Sequence, residues 1–139
     1  MNRNLQLFSI APKSVANNKV DKDELLNEDE KNFYKIVCRR CESVFFPEGA
    51  VRYIKAGKPI DLRVMTHQGK GEPGYEKISW WWYTEDDMAF DTIGWQTINR
   101  KKYLMCGDCE LGPVGVRSED NKRFWVAVER CKYIGGDDK

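Results

Sequence analysis

Several things are scarce in this chain of 139 residues. There is one histidine, His67, and no serine or cysteine stands near it in an arrangement suited to nucleophilic catalysis. Neither sign of charge is in excess: 23 basic residues face 22 acidic ones, for a net charge of +1. That balance gives no basis for nucleic acid as a main partner, nor for an anionic membrane surface. No apolar run approaches the roughly 20 residues that a membrane-spanning helix needs. The N-terminus has no continuous apolar core followed by a small-residue cleavage site, so it reads poorly as a secretory signal. The expected location is therefore the cytosol, where five cysteines serve as thiols or metal ligands rather than in stable disulfides. A glycine-rich phosphate cradle is missing too, because GKGEPG (residues 69–74) lacks the Lys-Ser/Thr that such a loop requires.

What is present falls into two regions. The first, residues 1–32, has few aromatics and includes DKDELLNEDEK, in which six of eleven residues are acidic. Such composition buries little apolar surface, so this stretch is expected to be a flexible extension with at most a short helix near Asp23 to Phe33. Residues 33–135 turn aromatic and β-branched. YKIV, SVFF, AVRYIKAG, PIDLRVM, ISWWWYT, FDTIGWQT, KKYLM, GPVGVRS and RFWVAVERCKYI read as short strands with turn residues between them. A turn is expected at Gly57-Lys58-Pro59, a glycine-rich loop over residues 67–74 with His67 exposed in it, and one continuous strand over residues 123–134. Periodicity near 3.6 is almost absent, so the fold class is mainly β. In the run Trp80-Trp81-Trp82, alternation puts one or two indoles on the face away from the core.

Two C-x-x-C pairs carry the clearest chemistry. Cys38-Arg-Arg-Cys41 follows YKIV, and Cys106-Gly-Asp-Cys109 follows KYLM. A tight turn after a strand aims two thiolates at one point, and Gly107 permits the positive φ that such a turn often uses. Two such knuckles form the closed tetrahedral S₄ set that Zn²⁺ prefers. A thioredoxin-like dithiol would want a βαβ context, which is lacking. Cys131, inside an alternating strand, reads as a packed thiol rather than a fifth ligand. A closed zinc site holds a scaffold and performs no reaction. The remaining acidic cluster, Glu85-Asp86-Asp87, reads either as a polar turn between aromatic strands or as a site for acid–base work or a cation.

The segments CRRC, YLMCGDCELGPVG and FWVAVER together resemble the small zinc-binding guanine-nucleotide-releasing factors of Rab GTPases, the suppressors of Sec-four of mammals and yeast. The resemblance covers about residues 36 to 134 and is most specific where Glu110 and Gly112-Pro113-Val114-Gly115 follow the second knuckle. It implies a β-tent fold of antiparallel sheets stapled by one structural Zn²⁺, and a monomer acting in vesicular transport. The implied partner is a nucleotide-free Rab GTPase, bound without covalent chemistry and without membrane insertion. The partner-facing residues it implies are Glu85, Asp86, Asp87, Met88 and Phe90 in the turn, with Asp108 and Glu110 at the second knuckle. The family usually shows Asp-Met-Phe in that turn, where this chain has Asp87-Met88-Ala89-Phe90. Two other readings stand beside this one. One is a structural zinc adaptor with no GTPase partner. The other is a methionine sulfoxide reductase with Cys131 as nucleophile, against which the histidine-containing motifs and the Asn-Ser after the cysteine are missing.

Overall fold

The computed structural model describes residues 22–67 and 74–135. The chain is mainly β, and every strand pairing among the described residues is antiparallel. A short helix, α1 (Lys22–Leu25), precedes β1 (Lys35–Cys38) and β2 (Val44–Phe46). The long β3 (Arg52–Arg63) leads to the two-residue β4 (Thr66–His67), and β5 (Tyr75–Thr84) returns along β3. Then come β6 (Ile93–Ile98), β7 (Lys101–Cys106), β8 (Leu111–Gly112), β9 (Gly115–Arg117), β10 (Phe124–Ala127) and β11 (Cys131–Ile134).

These strands form a three-stranded sheet, β11-β1-β2, a six-stranded sheet, β3-β5-β10-β9-β7-β6, and the pair β4-β8. The main core joins the two larger sheets. Ile36, Phe46 and Tyr133 from one meet Trp82, Leu104, Phe124 and Val126 from the other. The six-stranded sheet has a second apolar cluster, built on Leu62, Ile78, Trp81, Tyr103 and Ala127. The side opposite the main core is therefore not open water, and of the three successive indoles Trp81 and Trp82 are both fully buried. Trp80 is half-buried and stacks on Tyr53 with ring centroids 4.9 Å apart.

The expected turn at Gly57-Lys58-Pro59 does not form. β3 runs straight through it, and the register with β5 slips between Lys55 and Ile60. Extra residues on one strand of a pair bend and twist that strand instead of ending it. The far half of the hairpin thereby brings Leu62 and Ile78 against Trp81. Arg130 clamps it there. Its guanidinium donates to the carbonyls of Arg63 (2.5 Å), Pro113 (2.7 Å) and Leu62 (3.2 Å), and to Glu76 Oε1 (2.8 Å).

The expected single strand over residues 123–134 is also broken. A 3₁₀ turn at Val128–Arg130 ends β10 in one sheet and starts β11 in the other. No Gly, Pro, Asn or Asp marks the break, so turn residues do not reveal it. His67, expected in a loop, closes β4, which pairs with β8; the rest of that loop, residues 68–73, lies outside the described residues.

The folded unit also begins earlier than residue 33. Leu25 is buried in the main core, and Asn32 is wholly inaccessible. The Asn32 amide donates to the carbonyls of Tyr34 and Pro47 at 2.8 Å, while its oxygen accepts the amides of Ala50 (2.8 Å) and Val51 (3.0 Å). Four bonds satisfy the whole side chain. The first 21 residues of the expected extension lie outside the described residues. Among the described residues, no helix is long and apolar enough to cross a membrane.

Candidate functional site

Cys38 ends β1 and Cys106 ends β7, and the chain turns back after each in the same way. The amide of Glu42 donates to the Cys38 carbonyl, and that of Glu110 to the Cys106 carbonyl, each at 3.0 Å. Both glutamates adopt φ 64°. The amides of Arg40 and Asp108 point at the sulfurs of Cys38 and Cys106, each at 3.4 Å. The positive φ thus falls one residue after each knuckle and not on Gly107, where it was expected. Gly107 instead eases a close approach: a Cβ there would sit 3.3 Å from the Thr92 carbonyl carbon and oxygen.

The two knuckles converge. Cys38 Sγ lies 3.6 Å from Cys109 Sγ, Cys41 Sγ lies 3.6 Å from Cys106 Sγ, and all four sulfurs fall within 4.8 Å of one another. A tetrahedral ion with Zn–S bonds of about 2.3 Å would space its sulfurs roughly 3.8 Å apart. The donor set and its spacing can hold a metal ion and fit Zn²⁺. Without a cation, burial pushes the Cys106 thiol up to about 12 and raises Cys38 as well. At the exposed Cys41, burial works against ionisation, yet hydrogen bonds with Ser43 hold the thiol at about 7. Four ionised sulfurs at this spacing need a positive charge between them.

Cys131 is the cross-strand partner of Cys38 but not one of the four. It is fully buried, its thiol contacts the Ala127 carbonyl at 3.5 Å, and burial pushes its ionisation far upward. A sulfur closed off in this way is poorly placed to attack a substrate.

The acidic turn sits beside this centre. Glu85 is exposed and accepts the Tyr83 hydroxyl at 2.6 Å. Asp86 caps the 3₁₀ turn Asp87–Ala89, with its carboxylate accepting the Met88 amide at 2.9 Å. Asp87 is exposed, and Met88 is 83% exposed. Phe90, expected alongside Met88 as a contact residue, is half-buried. Its ring lies 5.4 Å from Phe46 and meets Phe124 edge-on at 4.8 Å, so it anchors the turn.

Thr92, which composition did not single out, ties the turn to both knuckles. Its amide donates to Val44, just after the first knuckle, at 3.0 Å, and its carbonyl accepts the Gly107 amide in the second at 2.9 Å. Ser43 is a second tie that was missed, because its hydroxyl donates to the exposed Asp108 across the two knuckles. Glu110 is half-buried at its positive-φ position. The Gly-Pro-Val-Gly run explains itself sterically. A Cβ on Gly115 would meet the Trp125 carbonyl oxygen at 2.0 Å, and one on Gly112 would meet Met105 Cβ at 2.6 Å. Only glycine permits β9 and β8 to lie this close to their neighbours.

Comparison with known proteins agrees with the motifs. Residues 31–133 match the Mss4 protein family. Over 109 residues the chain is 27% identical to the guanine nucleotide exchange factor MSS4 homolog of Drosophila melanogaster, an alignment spanning 76% of this chain and 88% of that one. With most of its length matched, including both knuckles and the turn between them, this chain belongs to the Mss4 family.

Proposed function

We propose that this protein binds the nucleotide-free form of a Rab-type small GTPase and thereby promotes release of GDP, in the cytoplasm and in support of vesicular transport. The observation that carries the reading is the exposed acidic-apolar turn of Asp86, Asp87 and Met88, fastened through Thr92 to the paired cysteine knuckles of an Mss4-family chain. The Drosophila relative is named as a guanine nucleotide exchange factor.

Cys38, Cys41, Cys106 and Cys109 would hold one Zn²⁺, which supplies rigidity and no chemistry of its own. A small GTPase retains its nucleotide through Mg²⁺ and phosphate contacts. A protein that prefers the empty form weakens nucleotide binding by the same factor, because binding free energies are linked. In this reading Asp87, Asp108 and Glu110 supply negative charge that competes with the phosphates, and Met88 supplies an apolar contact. Asp86 holds the turn, and Phe90 anchors it. No covalent step is required, and the chain acts as a monomer.

The test is to titrate the zinc-loaded full chain into a panel of Rab proteins carrying fluorescent GDP. Accelerated release from at least one is expected, with tighter binding to its empty form than to its GDP form. Unchanged release and equal affinity for both forms across the panel would leave a zinc adaptor without a GTPase partner.

A further inference from the structure

Among the exposed large apolar side chains of the described residues are Met88, 83% exposed and two residues before Phe90, and Trp95, 44% exposed. A row of aromatic rings runs from Phe90 to Trp95. Phe90 touches Phe124 at 4.8 Å between centroids, and Phe124 reaches Trp95 at 6.0 Å. The rings between the two ends are buried or half-buried; the indole at the end of the row is left uncovered.

Trp95 is held in place. The Arg117 guanidinium lies 4.7 Å from its ring centroid, and Arg117 is itself buried and fixed. It donates to the Gln96 carbonyl at 3.0 Å, the Tyr103 carbonyl and Asn121 Oδ1 at 2.9 Å. An aromatic ring clamped on one side and wet on the other loses little freedom when something covers it, which is the property of a docking anchor. The side chains around the Met88 end are acidic. Asp86, Asp87 and Asp91 are exposed, and the ion pairs among the described residues involve none of them.

We infer that Trp95 is a further partner-contacting residue, and that the strip from Met88 to Trp95 receives a segment of the GTPase carrying an apolar side chain bordered by Lys or Arg. The inference rests on the exchange-factor reading above and extends its surface onto β6. A second copy of this chain fits poorly, since a two-fold contact would set these carboxylates against themselves. The same carboxylates disfavour a nucleic acid.

The experiment uses the zinc-loaded full chain and a Rab on which it acts. Trp95→Ala should raise the concentration needed for half-maximal GDP release about tenfold, the effect of losing one interface anchor, while zinc content stays full. Trp95→Phe should restore most of the loss. Oxidative labelling of Trp95 in the unmodified protein should fall when the empty GTPase binds, a readout that needs no variant to fold. Parent-like release by a folded Trp95→Ala protein, or labelling of Trp95 that is unchanged in the complex, overturns the inference. Failure of the unmodified protein to act on any Rab overturns the exchange-factor reading beneath it instead.

Discussion

The indole N–H of Trp82, in the six-stranded sheet, donates to the hydroxyl of Tyr133, in the three-stranded sheet, at 3.0 Å. Tyr133 in turn donates to the Val128 carbonyl, in the 3₁₀ turn where the chain passes between the sheets. Both side chains are buried, and burial keeps the Tyr133 hydroxyl protonated well beyond its ordinary range. Tyr133→Phe would strand a donor and an acceptor in the core. A loss of about 1–3 kcal/mol is expected for such orphaned groups, measured by denaturant unfolding with an unchanged m value.

Asn32 ties the segment before β1 to the core in the same manner. Asn32→Ala removes all four bonds to Tyr34, Pro47, Ala50 and Val51. Unfolding stability should drop by about 3 kcal/mol, as for several buried groups left unpaired. Leu25→Ala should cost about 2–5 kcal/mol by leaving a cavity. Near-parental melting of either variant would mean that the segment before β1 does not contribute to the fold.

These two residues also show where sequence reading stops. The stretch around them is so acidic that composition places it outside the core, yet Leu25 and Asn32 are both buried, with Leu26 and Phe33 packed beside them. The cysteine knuckles were legible because metal geometry imposes a spacing that survives in the sequence. The β character was legible from alternation and from turn residues. Alternation says nothing about which sheet a strand joins, so the break at Val128–Arg130 and the continuation of β3 through Gly57-Lys58-Pro59 were hidden. A buried arginine such as Arg130 looks like any surface charge until its carbonyl partners, distant in sequence, are assembled.

Arg130 should therefore be costly to replace. Its ion pair with Glu76 is not the reason, since that carboxylate is 54% exposed and can return to water. The carbonyls of Leu62, Arg63 and Pro113 matter more. Arg130→Ala is expected to lose about 2–4 kcal/mol by leaving buried acceptors unpaired, and Arg130→Lys should recover little, because one ammonium cannot reproduce the planar fork. Thermal melts of the two variants decide it, and full recovery by Lys would contradict the clamp.

The purified protein should carry about one zinc ion per chain. Cys38→Ser or Cys109→Ser should lose both the metal and cooperative unfolding, because the centre joins the end of β1 to the end of β7. Cys131→Ser should keep its zinc, since that sulfur lies outside the group of four. Elemental analysis paired with circular dichroism tests all three, and a zinc-replete Cys109→Ser protein would contradict four-sulfur ligation.

The turn itself separates stability from function. Asp87 and Met88 are exposed, and neither side chain belongs to either apolar cluster. The bond that caps the turn comes from Asp86, and its packing comes from Phe90. Replacing Asp87 and Met88 together by Ala should leave the melting transition within about 0.5 kcal/mol of the parent, as for surface changes that touch no cap or core. If these side chains meet the GTPase, the same double change should weaken binding of the empty form about tenfold to several-hundredfold, the range for interface anchors. Phe90→Ala should behave differently, costing stability first and function only through the collapsed turn. Comparing the two variants at full zinc content distinguishes a contact surface from its support. Parental release rates from the folded double variant, on a Rab that the parent protein acts on, would remove this turn from the mechanism.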